Sequence, residues 1–185
     1  MSPFATTTLP WPNATAQCCL WQVHKRFEGE RTLDLSAPYH CDTGTTRRGA
    51  VRLRIKLESQ GRPCDQDPQL IPDGSTLEAR GSVVHREDGL ADFTGRFLIR
   101  NPAGRIMFRG AIELFDRIGT HHQPFGQEEC NPRSHVEGWL VGAGDARVYP
   151  NHMIRVMFVS RGEMPKAGGP YPLMGSLNGV LMKCP

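Results

Sequence analysis

The sequence predicts an all-β fold: a single antiparallel eight-stranded β-barrel with long loops at one end. Three observations carry this expectation. The first is strict alternation over Val51-Arg52-Leu53-Arg54-Ile55-Lys56-Leu57-Glu58, with Val51, Leu53, Ile55 and Leu57 facing one way and the charged residues the other. A half-buried antiparallel strand has this pattern, whereas a helix would scatter the four apolar residues around its circumference. The second is a hairpin over 91–117, where Phe93, Phe97 and Ile99 share a face, as do Ile106, Phe108, Ile112 and Leu114, across the turn Asn101-Pro102-Ala103-Gly104. Proline suits the first central position of a type I turn and glycine the left-handed position after it. The third is composition: 20 glycines and 15 prolines in 185 residues, and no helical stripe. That balance suits many turns and few helices.

In order, strands are expected at about 17–27, 50–58, 76–86, 91–100, 105–117, 134–142, 152–160 and 174–183, after an irregular arm over 1–16 rich in Thr and Pro. The barrel domain is therefore 17–185. Gly95 and Gly110 interrupt the inner faces of their strands, as bulges and tight bends at barrel corners require. Glu87-Asp88-Gly89 reads as a tight turn. Eight short strands close into an antiparallel barrel or, failing that, a sandwich, and a barrel of that size is filled by side chains or holds one small ligand. The strand pattern over about 50–183 is similar in general shape to calycin or lipocalin-like and allene-oxide-cyclase-like barrels. The resemblance rests on that pattern alone and carries over no catalytic residue.

The bulk numbers narrow the function. Net charge is +3, with 38% apolar and 22% charged residues, as in an ordinary soluble domain. The basic residues are spread along the chain without the basic-aromatic clustering of a single-strand binder, so no nucleic-acid partner is expected. No stretch approaches the ~20 apolar residues of a membrane span, and the N-terminus lacks a signal-like start. A cytoplasmic location follows as an expectation, with the six cysteines as reduced thiols. Cys18 and Cys19 are adjacent and point to opposite faces of a strand, so they are not a pair for each other.

If the strands run up and down in sequence, the loops at 28–49, 87–90, 118–133 and 161–173 share one end and those at 59–75, 101–104 and 143–151 share the other. The first end then collects His24, His40, Cys41, Asp42, His85, His121, His122, Glu128, Glu129, Cys130 and His135, while His152 maps to the opposite end. Long loops within a compact domain are usually functional, and 161–173 has the glycines of a hinged lid. His121, His122 and Cys130, with His40 and Cys41, offer the donors that zinc or iron takes. Their spacing matches no zinc motif, and the favoured alternative is a polar loop whose histidines cap turns or bond backbone. Cys130 beside His135 or His121 raises a thiolate pair, without a family signature.

His135, Glu137 and Trp139 share one face of their strand. Turned inward, they form a pocket in which Glu137 and His135 act as general acid or base and Trp139, with His85 and His24, contacts the ligand. Turned outward, Glu137 is solvated and Trp139 covers a neighbouring strand. Arg96, Arg100, Arg105, Arg109 and Glu113 lie opposite the apolar face of the hairpin, as outer cross-strand ion pairs would. The leading functional expectation is a small-molecule-binding barrel with a His/Cys/Glu-rich mouth, metal-assisted if zinc or iron is bound. The alternatives are a cofactor-independent cyclase or isomerase using Glu or His, and a structural or protein-interaction module. Ligand identity and oligomeric state stay open.

Overall fold

A computed structural model describes residues 18–35, 46–59, 70–86, 90–119, 133–163 and 170–185. They form β1 (Cys19–Leu35), β2 (Arg47–Ser59), β3 (Ser75–His85), β4 (Leu90–Arg100), β5 (Ile106–Gly119), β6 (Arg133–Gly144), β7 (His152–Glu163) and β8 (Pro170–Lys183). Each strand pairs antiparallel with the next, and β8 returns to β1, closing a barrel in up-and-down order. All eight expected strands are present. The expected arm over 1–16 and the Glu87-Asp88-Gly89 turn lie outside the described residues.

The largest departure is β1, which continues to Leu35 rather than ending near 27. The continuation keeps the period of two: Phe27 and Arg31 point in, Arg26, Glu28, Glu30 and Thr32 point out. It serves two partners, pairing β2 through Lys25–Leu35 and β8 through Cys19–Thr32. That offset is the stagger a tilted barrel strand requires.

Val51, Leu53, Ile55 and Leu57 are buried together, and Phe27, Phe97, Phe108 and Phe158 fill the middle of the lumen. The Phe27 and Phe158 rings stack 4.6 Å apart. Burying such side chains contributes about 1.5–3 kcal/mol each, and the apolar-in, charged-out pattern of β1–β4 is the inverse of a lipid-embedded barrel. Among the described residues no helix is long and apolar enough to cross a membrane.

Two glycines show how the wall bends tightly enough to close. A Cβ on Gly95 would stand 2.3 Å from the Arg80 carbonyl oxygen, and one on Gly110 2.1 Å from that of Val141. Only glycine permits that approach. The turn at Asn101–Gly104 is as expected: Gly104 has φ 80° and its N–H donates to the Asn101 carbonyl at 2.8 Å.

The strand ends define two rims. At the first rim β1, β3, β5 and β7 end and β2, β4, β6 and β8 begin; at the second the directions reverse. The second rim is closed by satisfied side chains. Lys25 bonds Asp73 at 2.9 Å and Ser59 at 3.0 Å, and Tyr149 donates to the Leu70 carbonyl at 3.0 Å. The Lys25 ammonium and the Ser59 hydroxyl together hold the Asp73 carboxyl below its usual range. His152 is at this rim, as expected, against Trp21 and Tyr149.

Candidate functional site

The first rim carries different chemistry. Inward positions of five strands bring together Arg31 (β1), Arg47 (β2), His85 (β3), Asp116 (β5) and Tyr171 (β8), all buried. The register explains the grouping. Arg47 lies opposite His85 across β2–β3, and Arg31 opposite Tyr171 across β1–β8, with its guanidinium 4.6 Å from the Tyr171 ring centroid. β1 and β5 stand half-way round the barrel from each other, yet the Arg31 and Asp116 side chains meet across the lumen at 2.8 Å. This buried, charge-assisted hydrogen bond ties opposite walls together.

Beneath the pair lies a cavity of about 10 Å³, lined by Leu33, Leu53, Phe93, Leu114 and Val136 among others. It has room for a single water. Among the described residues the lumen here is filled by side chains, which favours meeting a ligand at the rim. The Tyr171 hydroxyl, 2% exposed as a residue, has no hydrogen-bond partner among the described residues. A buried hydroxyl without a partner is uncommon and costly.

His85 is harder to protonate than a free imidazole. Burial pushes its imidazole below the ordinary value of 6.5, the charges of Arg31 and Arg47 push the same way, and Asp116 opposes them. In the unfolded chain the imidazole takes up a proton near 6.5, whereas the folded one resists it. The folded state thus binds fewer protons, and stability is fully present above about pH 6.5 and lost as pH falls below it. Replacing His85 by Gln is expected to flatten this part of the stability–pH curve, measured by urea denaturation across that range. An unchanged slope would assign the pH dependence to other groups.

The expected site residues fall in three groups. His85 is at the first rim and faces in. His135 and Glu137 are at the first rim but on the outer surface, bonded to each other at 3.4 Å, and Trp139 is also outside, with Arg155 4.6 Å over its ring. The inward pocket of His135, Glu137 and Trp139 is thereby corrected. Val136, Gly138 and Leu140 occupy the inner phase, and Trp139 covers a neighbouring strand. His24 is corrected as well. Because β1 runs on to Leu35, His24 lies toward the second rim on the outer face, bonded to Asn178 at 3.1 Å and Gln22 at 3.2 Å.

His40, Cys41, His121, His122 and Cys130 lie outside the described residues. The strands that flank them, β1 with β2 and β5 with β6, meet at the first rim. Among the described residues no group of three His, Cys, Asp or Glu side chains is disposed to hold a metal. The expectation of six reduced thiols is corrected at one pair: Cys18 and Cys184 form a disulfide, with Cα atoms 4.4 Å apart, and Cys19 is free and exposed.

Arg31, Arg47, Asp116 and Tyr171 are the residues that sequence reasoning missed. Asp116 stands in phase with Ile112 and Leu114 within a strand that was expected, so a charge in the inner register was the available signal. Arg31 and Tyr171 fall in segments read as loops, where the period was not followed. The chain matches no family model, and comparison with curated proteins and with solved structures found no match.

Proposed function

We propose that the protein binds a small organic anion at the first rim, with the acid group of the ligand accepting hydrogen bonds from the Tyr171 hydroxyl and a neighbouring guanidinium. The observation that carries this reading is the Tyr171 hydroxyl, buried without a hydrogen-bond partner among the described residues and beside the Arg31 guanidinium. Guanidinium groups match carboxylate geometry, and an acceptor on a ligand would satisfy the buried Tyr171 hydroxyl. The filled lumen beneath favours a small head group over a long chain threaded through the barrel.

Tyr171→Phe tests it, with benzoate and octanoate as probes and calorimetry as the readout. A hydrogen bond to a charged acceptor contributes about 1.5–3 kcal/mol, so affinity should fall at least ~10-fold. The unliganded variant should be as stable as the parent or more so, because an unsatisfied hydroxyl has been removed. No binding of either probe by the parent protein, or equal binding by the variant, would overturn the reading. A second reading is a proton-moving isomerase or cyclase: His85 is buried in the same cluster, where burial lowers its affinity for a proton, as suits a general base. It moves that role from Glu137 and His135 to His85.

A further inference from the structure

The outer face of β2–β4 carries three arginines side by side. The register sets Arg52 on β2 opposite Arg80 on β3, and Arg80 opposite Arg96 on β4. All three are exposed and in the outward phase of their strands. With strands about 4.8 Å apart, the row is roughly 10 Å long. Like charges directly opposite each other destabilise a sheet. The Gly81–Gly95 pair lies next to Arg80 and Arg96 in the inward phase, where a Cβ on either glycine would strike the facing strand. The wall bends there, and the arginines stand on its convex side.

Elsewhere the chain gives such residues carboxylates. Lys56 pairs with Glu58 at 2.9 Å, Arg86 with Asp92 at 3.6 Å and Arg100 with Glu78 at 3.8 Å. Among the described residues none of Arg52, Arg80 and Arg96 has an ion-pair partner. For Arg96 this corrects the cross-strand pairing expected from sequence. The neighbouring rows specify what the arginines would hold. Toward the first rim, Ser82 and Thr94 add exposed hydroxyls between Asp34 on β1 and Glu113 on β5. Toward the second rim stand Glu30 and Glu78. The positive strip is therefore narrow, with carboxylates along both sides. A broad anionic surface such as a bilayer would meet those carboxylates as well, whereas a linear polyanion laid across the strands meets the strip alone. No outer position of β2–β4 carries an aromatic ring on which a nucleic-acid base could stack. A convex wall also lacks the enclosure that small-molecule sites provide. The Cys18–Cys184 disulfide favours an oxidising compartment, where acidic polysaccharides are met more than free nucleic acids.

We propose that the row Arg52, Arg80 and Arg96 binds a linear acidic polysaccharide, whose sulfate or carboxylate groups accept hydrogen bonds from successive guanidiniums. Charge-assisted, two-point bonds of this kind are what arginine makes with planar or tetrahedral oxyanions. Binding brings negative charge to a row that is self-repelling without it. The row lies on the outer wall, so binding there needs no ligand at the Tyr171 rim.

Heparin is the probe, with calorimetry of the full chain at about 0.15 M salt and at higher salt. The parent should bind it, less tightly as salt rises. The triple variant Arg52→Gln, Arg80→Gln, Arg96→Gln should bind at least ~10-fold more weakly, and its slope of log affinity against log salt should be shallower by about 2–3. A control, Arg26→Gln, Arg105→Gln, Arg147→Gln, removes the same charge elsewhere and should bind as the parent does. Urea denaturation should find the first variant at least as stable as the parent, since adjacent like charges have been removed. Should that variant fail to fold, Arg80→Gln alone, at the centre of the row, gives the same reading. No heparin binding by the parent, equal binding by the row variant, or an equal loss in the control overturns the proposal. Tighter binding of a single-stranded oligonucleotide, or of phosphatidylglycerol vesicles, also overturns it and gives the row to a nucleic acid or a membrane.

Discussion

Asp116→Ala is expected to destabilise the barrel by about 3–5 kcal/mol, the range for removing one partner of a buried ion pair. The reason is the charge left behind. Arg31 comes from the opposite wall, is 5% exposed, and finds in Asp116 a carboxylate at 2.8 Å. Without it, a guanidinium that cannot lose its proton loses a buried carboxylate at 2.8 Å beside apolar Leu33, Leu53 and Leu114. The double variant Arg31→Met, Asp116→Leu should recover most of the loss, because replacing both members with apolar side chains removes the charge along with the pair. Urea denaturation of the two variants and the parent gives the comparison. A loss below about 1 kcal/mol for Asp116→Ala, the range of exposed pairs, would mean that water reaches Arg31 freely. If the double variant folds well but binds neither benzoate nor octanoate, the pair is retained for the ligand rather than for the fold.

The same pair shows where a sequence is legible and where it is not. Barrel, strand count and order followed from period-2 alternation, because a strand with one face in the core records that face in every second residue. Val51 to Leu57 and the 91–117 hairpin are such cases. Legibility failed where polar residues stand in the inner phase. Arg31 interrupts the apolar alternation of β1, so the strand seemed to stop at Phe27, and the error carried His24 to the wrong rim. For His135, Glu137 and Trp139 the alternation was read correctly but its phase was ambiguous. Both faces of β6 offer apolar residues, and the inner one is built partly from Gly138 and Gly142. Facing residues half-way round a closed barrel, as Arg31 and Asp116 do, leave no local trace: their meeting depends on closure, which no short window of sequence contains.

Closure also governs the second large effect, expected for Cys184→Ser. The disulfide joins Cys18, just before β1, to Cys184, just after β8, over a separation of 166 residues. It therefore fastens the β1–β8 seam, the pairing that turns an eight-stranded sheet into a barrel, and that depends on the two ends of the chain meeting. Cross-linking a loop longer than a hundred residues removes much of the freedom of the unfolded chain, and losing a native bridge typically costs about 2–5 kcal/mol. Cys184→Ser, or reduction of the parent, should lower stability by that amount with core burial unchanged, since both cysteines lie outside the lumen. A variant as stable as the parent under oxidising conditions would show that the fourteen paired positions of β1 and β8 hold the seam unaided. The bridge also bears on where the protein works. Such bonds persist in oxidising compartments and are rare in the cytosol, against the cytoplasmic expectation drawn from the N-terminus. Trapping thiols at the moment of lysis from the native source, followed by peptide mass measurement, separates the two. Cys18 and Cys184 recovered as a linked pair places the protein in an oxidising compartment, and both recovered as blocked thiols returns it to a reducing one.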